Sequence, residues 1–255
     1  MIFTTFSRLL TKFLTAKPPL TASRQHSLLR DRSRYKFSKY IILKATKDDY
    51  DSVLKVMHEC FYDSEPTCYA LGIKPNAIID ETALKNMAEG KTLIAKCKFS
   101  GSIVGAAINE TSNPWDPDQK EKLANHINCP KIKQWLLFQA YAQRYPQLWG
   151  RYNVDKVFES SNIFVRKSDQ SDEILLRLLE ESKTLAFECG FKIFRVNATK
   201  RDVWESCEKA DMKLTAEIPY CSYIGRNMKP VFVTPPPNKC LKVYVNVMAD
   251  NFGCT

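Results

Sequence analysis

The chain has 255 residues, 44% of them apolar and 26% charged. That is the composition of a folded domain large enough to bury its own core, and it excludes a collagen-like, low-complexity or coiled-coil body. The net charge of +10 is local: residues 1–40 carry nine Lys or Arg and one acid, Asp31, whereas 41–255 carry 29 basic and 27 acidic residues. A body so near neutrality lacks the basic stripe of a nucleic-acid binder, so no nucleic-acid partner is expected. No apolar run reaches the roughly 18 residues that a membrane-spanning helix needs, so no integral membrane segment is expected either.

In 2–14, Ile2, Phe3, Phe6, Leu9, Leu10, Phe13 and Leu14 recur at helical spacing, with Arg8 and Lys12 on another face. Pro18-Pro19 and a Ser/Arg-rich run follow. An amphipathic, Arg- and Ser-rich, acid-poor start is the description of a mitochondrial transit peptide. A plain basic tail and a membrane-surface helix are the competing readings, so the expected location is mitochondrial or cytoplasmic. Residues 1–39 read as a basic extension and 40–250 as one folded domain.

Along that domain, Ile41, Ile42 and Leu43 predict a strand over 40–45. Asp48 or Asp49 suits an N-cap for a helix carrying Val53, Leu54, Met57 and Phe61, and Pro66 predicts its end near Ser64. A second helix over 77–89 closes at Gly90. Strands over 92–97 and 102–108 flank Ser100-Gly101, a hairpin signal. The stretch 113–118 is turn-rich, and 131–145 is helical. A strand within 154–165 ends at Asn162-Ile163-Phe164-Val165, a helix runs over 172–189 to Gly190, and a strand covers 191–197. A helix over 200–211 and strands in 212–224 and 241–248 complete the chain. This order predicts an α/β domain with a single mixed, twisted sheet and helices on both faces. The two strands of the unit at 157–197 are expected to be parallel neighbours.

Nine cysteines without a Cys-x-x-Cys pair fit free thiols. His26, His58 and His126 are the three histidines, none at zinc-ligand spacing, so no metal is expected. No Gly-x-Ser-x-Gly elbow supports a serine hydrolase.

Several segments, in their shared order, carry a resemblance. Phe61-Tyr62-Asp63-Ser64-Glu65-Pro66 is followed by Leu71-Gly72; Gly105 and Asn109 form a Gly-x-x-x-Asn strand; Ile163-Phe164-Val165 closes a later strand. Tyr220, Tyr223 and Val231-Phe232-Val233 precede Pro235-Pro236-Pro237. Over about 40–248 the chain resembles the GNAT acyltransferase superfamily, and within it the insect-type arylalkylamine N-acetyltransferases, which include dopamine N-acetyltransferases. The resemblance implies acetyl transfer from acetyl-CoA to a small primary amine. It places acetyl-CoA between two splayed parallel strands, beside Phe164 and Val165, with its pyrophosphate against Gln170, Ser171, Asp172, Glu173, Ile174 and Leu175. It makes Glu65 the base that deprotonates the amine, with a pKa raised by burial. Thr199 keeps the hydroxyl of a Ser-rich turn, and Tyr223 is a candidate general acid.

The pattern also departs from the family. Glu173 stands where the pyrophosphate loop has glycine, and Leu175 replaces a small residue. Asp172 and Glu173 aim two negative charges at a dianion, at a cost of roughly 1–4 kcal/mol per close pair, with Arg166, Lys167 and Arg177 to offset them. Two further readings follow from these departures: a catalytically inactive GNAT-fold protein acting as a binding module, and an enzyme using another acyl donor. The sequence leaves the oligomeric state open.

Overall fold

A computed structural model describes residues 38–169, 172–225 and 227–248. The expectations for 1–37 lie outside the described residues, as do those for Gln170 and Ser171. In chain order the elements are β1 (Tyr40–Lys44), α1 (Tyr50–Cys60), α2 (Pro66–Leu71), α3 (Ala77–Ala88), β2 (Leu93–Cys97) and β3 (Ile103–Ser112). Then come α4 (Asp116–His126), α5 (Pro130–Arg144), α6 (Leu148–Tyr152), β4 (Val157–Val165), α7 (Asp172–Glu188), β5 (Ile193–Ala198), α8 (Arg201–Lys209), β6 (Lys213–Pro219) and β7 (Cys240–Val247).

The strands form one mixed sheet in the order β1-β2-β3-β4-β5-β7-β6. Neighbours are antiparallel except β4 and β5, which are parallel as expected. Helices cover both faces. On one, Leu175, Leu178 and Leu179 of α7 and Val203 and Cys207 of α8 pack on Val104, Phe158, Phe194 and Val196. On the other, Val53 and Met57 of α1, Ile79 and Met87 of α3, and Ile132 and Leu136 of α5 pack on Ile94, Ala106, Ile108 and Phe164. A strand covered on both sides loses its alternation, which is why Ile103–Ile108 is buried almost without interruption. Gly105 is required there: a Cβ at that position would stand 2.7 Å from the Phe164 carbonyl oxygen.

Four helices differ from the sequence expectation. α1 ends at Cys60, four residues before Ser64. Pro66 does not merely end a helix; it opens the short α2, with Glu65 extended at its N-cap (φ −75°, ψ 116°). This is the favourable place for proline, whose missing N–H costs nothing in a first turn. α4 begins inside the turn-rich stretch, with Pro117 in its first turn, and buries only Pro117 and Ala124. A helix with so little apolar face offers no stripe to read. α6 likewise contributes one buried residue, Leu148. The strand expected over 212–224 stops at Pro219, where a 3-10 turn, Tyr220–Ser222, takes over.

Candidate active site

The site begins with a fork in the sheet. β4 and β5 pair only over Phe158↔Phe194, Glu159↔Arg195 and Ser160↔Val196. Beyond that point β4 stays with β3 as far as Val165, and β5 stays with β7 as far as Ala198. Each strand keeps its outer neighbour and loses its inner one. The inner edge of β4 past Ser160 therefore faces a slot with backbone groups that need partners.

A cavity of about 670 Å³ reaches this fork, lined there by Ser161, Asn162, Ile163, Asn197, Thr199 and Val203. Glu65, Phe61, Trp135 and Leu136 line it from the helical side, and Glu110, Trp115 and Glu159 from further along. The volume is in the usual range for small-molecule sites.

Glu65 is 6% exposed. Its Oε1 accepts from Thr67 Oγ1 at 3.0 Å and, more weakly, from Thr67 N at 3.4 Å; its Oε2 accepts from Thr199 Oγ1 at 2.6 Å. The structure thus brings Glu65 and Thr199 together across 134 residues of sequence. Burial is the larger influence on this carboxyl and raises its pKa; the Thr199 hydroxyl, the Lys200 charge and Thr67 pull the other way. The result is a carboxylate that is a stronger base than an exposed glutamate, with two hydroxyls fixing its orientation.

Beneath the cavity three charged residues stand side by side on β3, β4 and β5. Glu110 is opposite Glu159, and Glu159 is opposite Arg195. Arg195 is 1% exposed; its Nη atoms donate to the carbonyls of Ala142 and Gln143 at the end of α5, and its Nε lies 3.7 Å from Glu159 Oε1. Glu159 also accepts from Asn197 Nδ2 at 2.8 Å and Gln143 Nε2 at 3.2 Å. Burial, with Glu159, Glu89 and Asp116 nearby and only partial relief from Lys120, pushes Glu110 up to about 7. Sequence reasoning missed this row. Its signal was charge inside otherwise apolar strands, Glu159 in 157–165 and Arg195 in 193–198.

The remaining sequence-derived residues are dispersed. Phe164 and Val165 end β4, but Phe164 packs under α1 and Val165 under α7. The side chains of Ile174 and Leu175 belong to the core beneath α7. Asp172 pairs with Lys209 at 2.8 Å, and Glu173 with Arg177 at 3.5 Å. Tyr223 stacks on Phe232 and packs edge-on to Phe138, and is not among the cavity's lining residues. Tyr220 is nearer Glu65, whose charge helps hold its phenol well above the usual range after burial. Its hydroxyl is buried without a hydrogen-bond partner. Among the described residues no group of three or more His, Cys, Asp or Glu is placed to hold a metal ion, and no helix is long and apolar enough to cross a membrane.

No protein-family model and no curated protein matches this sequence. Solved structures do. A mosquito arylalkylamine N-acetyltransferase-like protein, 5b, superposes with a TM-score of 0.77 at 19% identity, over 82% of this chain and 100% of that one. Arylalkylamine N-acetyltransferase 2 from Aedes aegypti gives 0.77 at 21% identity, over 82% and 99%. The polyamine N-acetyltransferase of Drosophila melanogaster, which forms N-acetylagmatine, gives 0.75 at 16% identity, over 82% and 100%.

The chain has the GNAT fold. The fork lies between β4 and β5, the one parallel pair of this sheet. At these identities the likeness extends to architecture and leaves the chemistry to the residues in the cavity.

Proposed function

We propose that this protein is an acyltransferase that moves an acetyl group from acetyl-CoA to the nitrogen of a small primary amine, with an arylalkylamine body accommodated beside Phe61, Trp115 and Trp135. The observation that carries the reading is the position of Glu65: a buried carboxylate with raised pKa, in the same cavity as the slot between β4 and β5.

The residues present fit a thioester carrier at that slot. The edge of β4 beyond Ser160 offers backbone partners to an extended chain, as an added strand would. Asp172 and Glu173 open α7, where peptide N–H groups lack intrahelical acceptors. Their own carboxylates are drawn off by Lys209 and Arg177. Arg166 and Lys167 directly follow β4, and Lys200 follows Thr199 at the end of β5. Bound there, the carrier supplies an electrophilic acyl carbon.

The chain's own residues do the proton work. An ammonium has no lone pair, so the amine must lose one proton before it reacts, and Glu65 Oε is the acceptor. Thr199 and Thr67 hold that oxygen pair in place. The net reaction joins acyl group to nitrogen and returns the carrier as free thiol, with one proton passed through Glu65 to solvent. A binding module without donor is the alternative, favoured by the acids that replace the glycine of the loop. It is disfavoured by the pairing of both acids with cations.

The test is amine-dependent release of free thiol from acetyl-CoA. We expect release by the wild type and a loss of about a hundredfold or more in kcat for Glu65→Gln, the usual worth of a general base. Gln keeps an N-cap acceptor for α2. Undiminished turnover in that variant would remove Glu65 as the base.

A further inference from the structure

The row of charges under the cavity is one cation short. Glu110 and Glu159 are directly opposed on adjacent antiparallel strands, an arrangement that brings Cβ atoms within about 5 Å and is destabilising for like charges. Glu159 is compensated by Arg195, Asn197 and Gln143. The Glu110 side chain lines the cavity, and its carboxyl has no hydrogen bond or ion pair among the described residues.

The charged groups around Glu110 are already engaged. Lys120 of α4, the nearest cation, donates to Gln143 Oε1 at 2.8 Å. Glu89, after α3, is held by Lys91 and by the Thr111 amide. Asp116 of α4 accepts from the Asn113 amide at 2.7 Å. Arg195 of β5 is spent on Glu159 and the carbonyls of α5. A carboxyl placed so is neutralised either by a proton, which its raised pKa favours, or by a cation brought from outside.

Such a cation has to arrive through the cavity. Glu110 stands level with Glu159, before the fork, while Glu65 stands beside Thr199, past the end of β5. One cavity therefore offers a base for the reacting nitrogen and a separate, unpaired anion. The indole rings of Trp115 and Trp135 line the same space and suit a cation's approach.

We propose that Glu110 receives a second cationic group, an ammonium or guanidinium, carried by the amine substrate, so that the cavity prefers an amine bearing such a group over the same carbon skeleton without it. This rests on the reading of the cavity as an amine site and goes beyond it by naming the specificity-determining carboxylate. Glu110 must be ionised to act. Selectivity then rises as pH rises through about 7, where this carboxyl loses its proton.

The experiment is calorimetric titration of the full chain, without acyl donor, with pentylamine and with the diamine that carries a second amino group at the other end of the same pentane chain. The wild type is expected to bind the diamine about tenfold tighter or more, the scale of one desolvated charge pair. That ratio should grow between pH 6 and pH 8 (about one unit either side of the transition). In Glu110→Gln the ratio should fall to near one and lose its pH dependence; a melting curve confirms folding. A wild-type ratio near one, or a ratio that survives the substitution, overturns the proposal. Because donor is absent, the outcome is independent of turnover. A preserved ratio with no thiol release for any amine would sink the transferase reading alone, and acetylation of both amines with no ratio would sink the cation site alone.

Discussion

Glu65 has a structural duty and, in the proposed reaction, a chemical one. As N-cap of α2 it holds an amide of the first turn, and the same carboxyl group faces the cavity. The Glu-Pro dipeptide carries the resemblance that points to the chemical duty; the capping duty is not legible, because Pro66 reads there as a helix end and not as a start. What the sequence did not show is the hydrogen bond that tunes it. Thr199 donates to the ionised form and so lowers a pKa that burial raises. Thr199→Val removes that donor. The carboxyl then stays protonated to higher pH, and the rising limb of kcat/KM against pH should move upward by about one unit, the worth of one hydrogen bond to a charged group. The sign for stability is the same: a carboxyl with a raised folded pKa favours the fold at low pH and ceases to do so as pH climbs through that pKa. A profile that is unmoved, or that moves to lower pH, would show that Thr199 does not act on Glu65.

At the scale of elements, the strands were legible and the small helices were not. Ile193–Ala198, for example, follows Gly190 and is rich in apolar residues, so its existence followed from local pattern. α4 and α6 bury too little surface to print a stripe. The Glu110–Glu159–Arg195 row was illegible for another reason: it is a product of register between strands far apart in sequence, which no local window contains. The same register makes Gly105 a sensitive position. It is paired with Val165 at the end of β4, and a Cβ there would press on the Phe164 carbonyl and on Val165 Cα at 3.1 Å. Gly105→Ala should therefore destabilise the fold by about 1–3 kcal/mol through overpacking, read as a lower Tm. A melting curve identical to the wild type would mean that β3 and β4 part freely there.

At the scale of the molecule, the sheet works as a frame that is closed everywhere except at one fork. Antiparallel pairing on both flanks, β1 to β4 on one side and β5 with β7 and β6 on the other, holds the two halves apart where β4 and β5 diverge. Helices α7 and α8 pack behind the fork, and α1, α3 and α5 in front of it, so the cavity is bounded by structured elements rather than by long loops. The general plan followed from the alternation of strands and helices along the chain. The acids at the start of α7 were legible as well, and they argued against an anion. Of their cationic partners, Arg177 was legible one turn on from Glu173, and Lys209 was not, because it reaches Asp172 from another helix. Everything catalytic depends on a thioester carrier entering that fork despite those acids. The direct measurement is calorimetric titration of the full chain with acetyl-CoA. We expect a saturable heat at one carrier per chain, weakened by added salt as a phosphate-anchored ligand should be; no heat at millimolar carrier (about a thousandfold above a micromolar Kd) would contradict it.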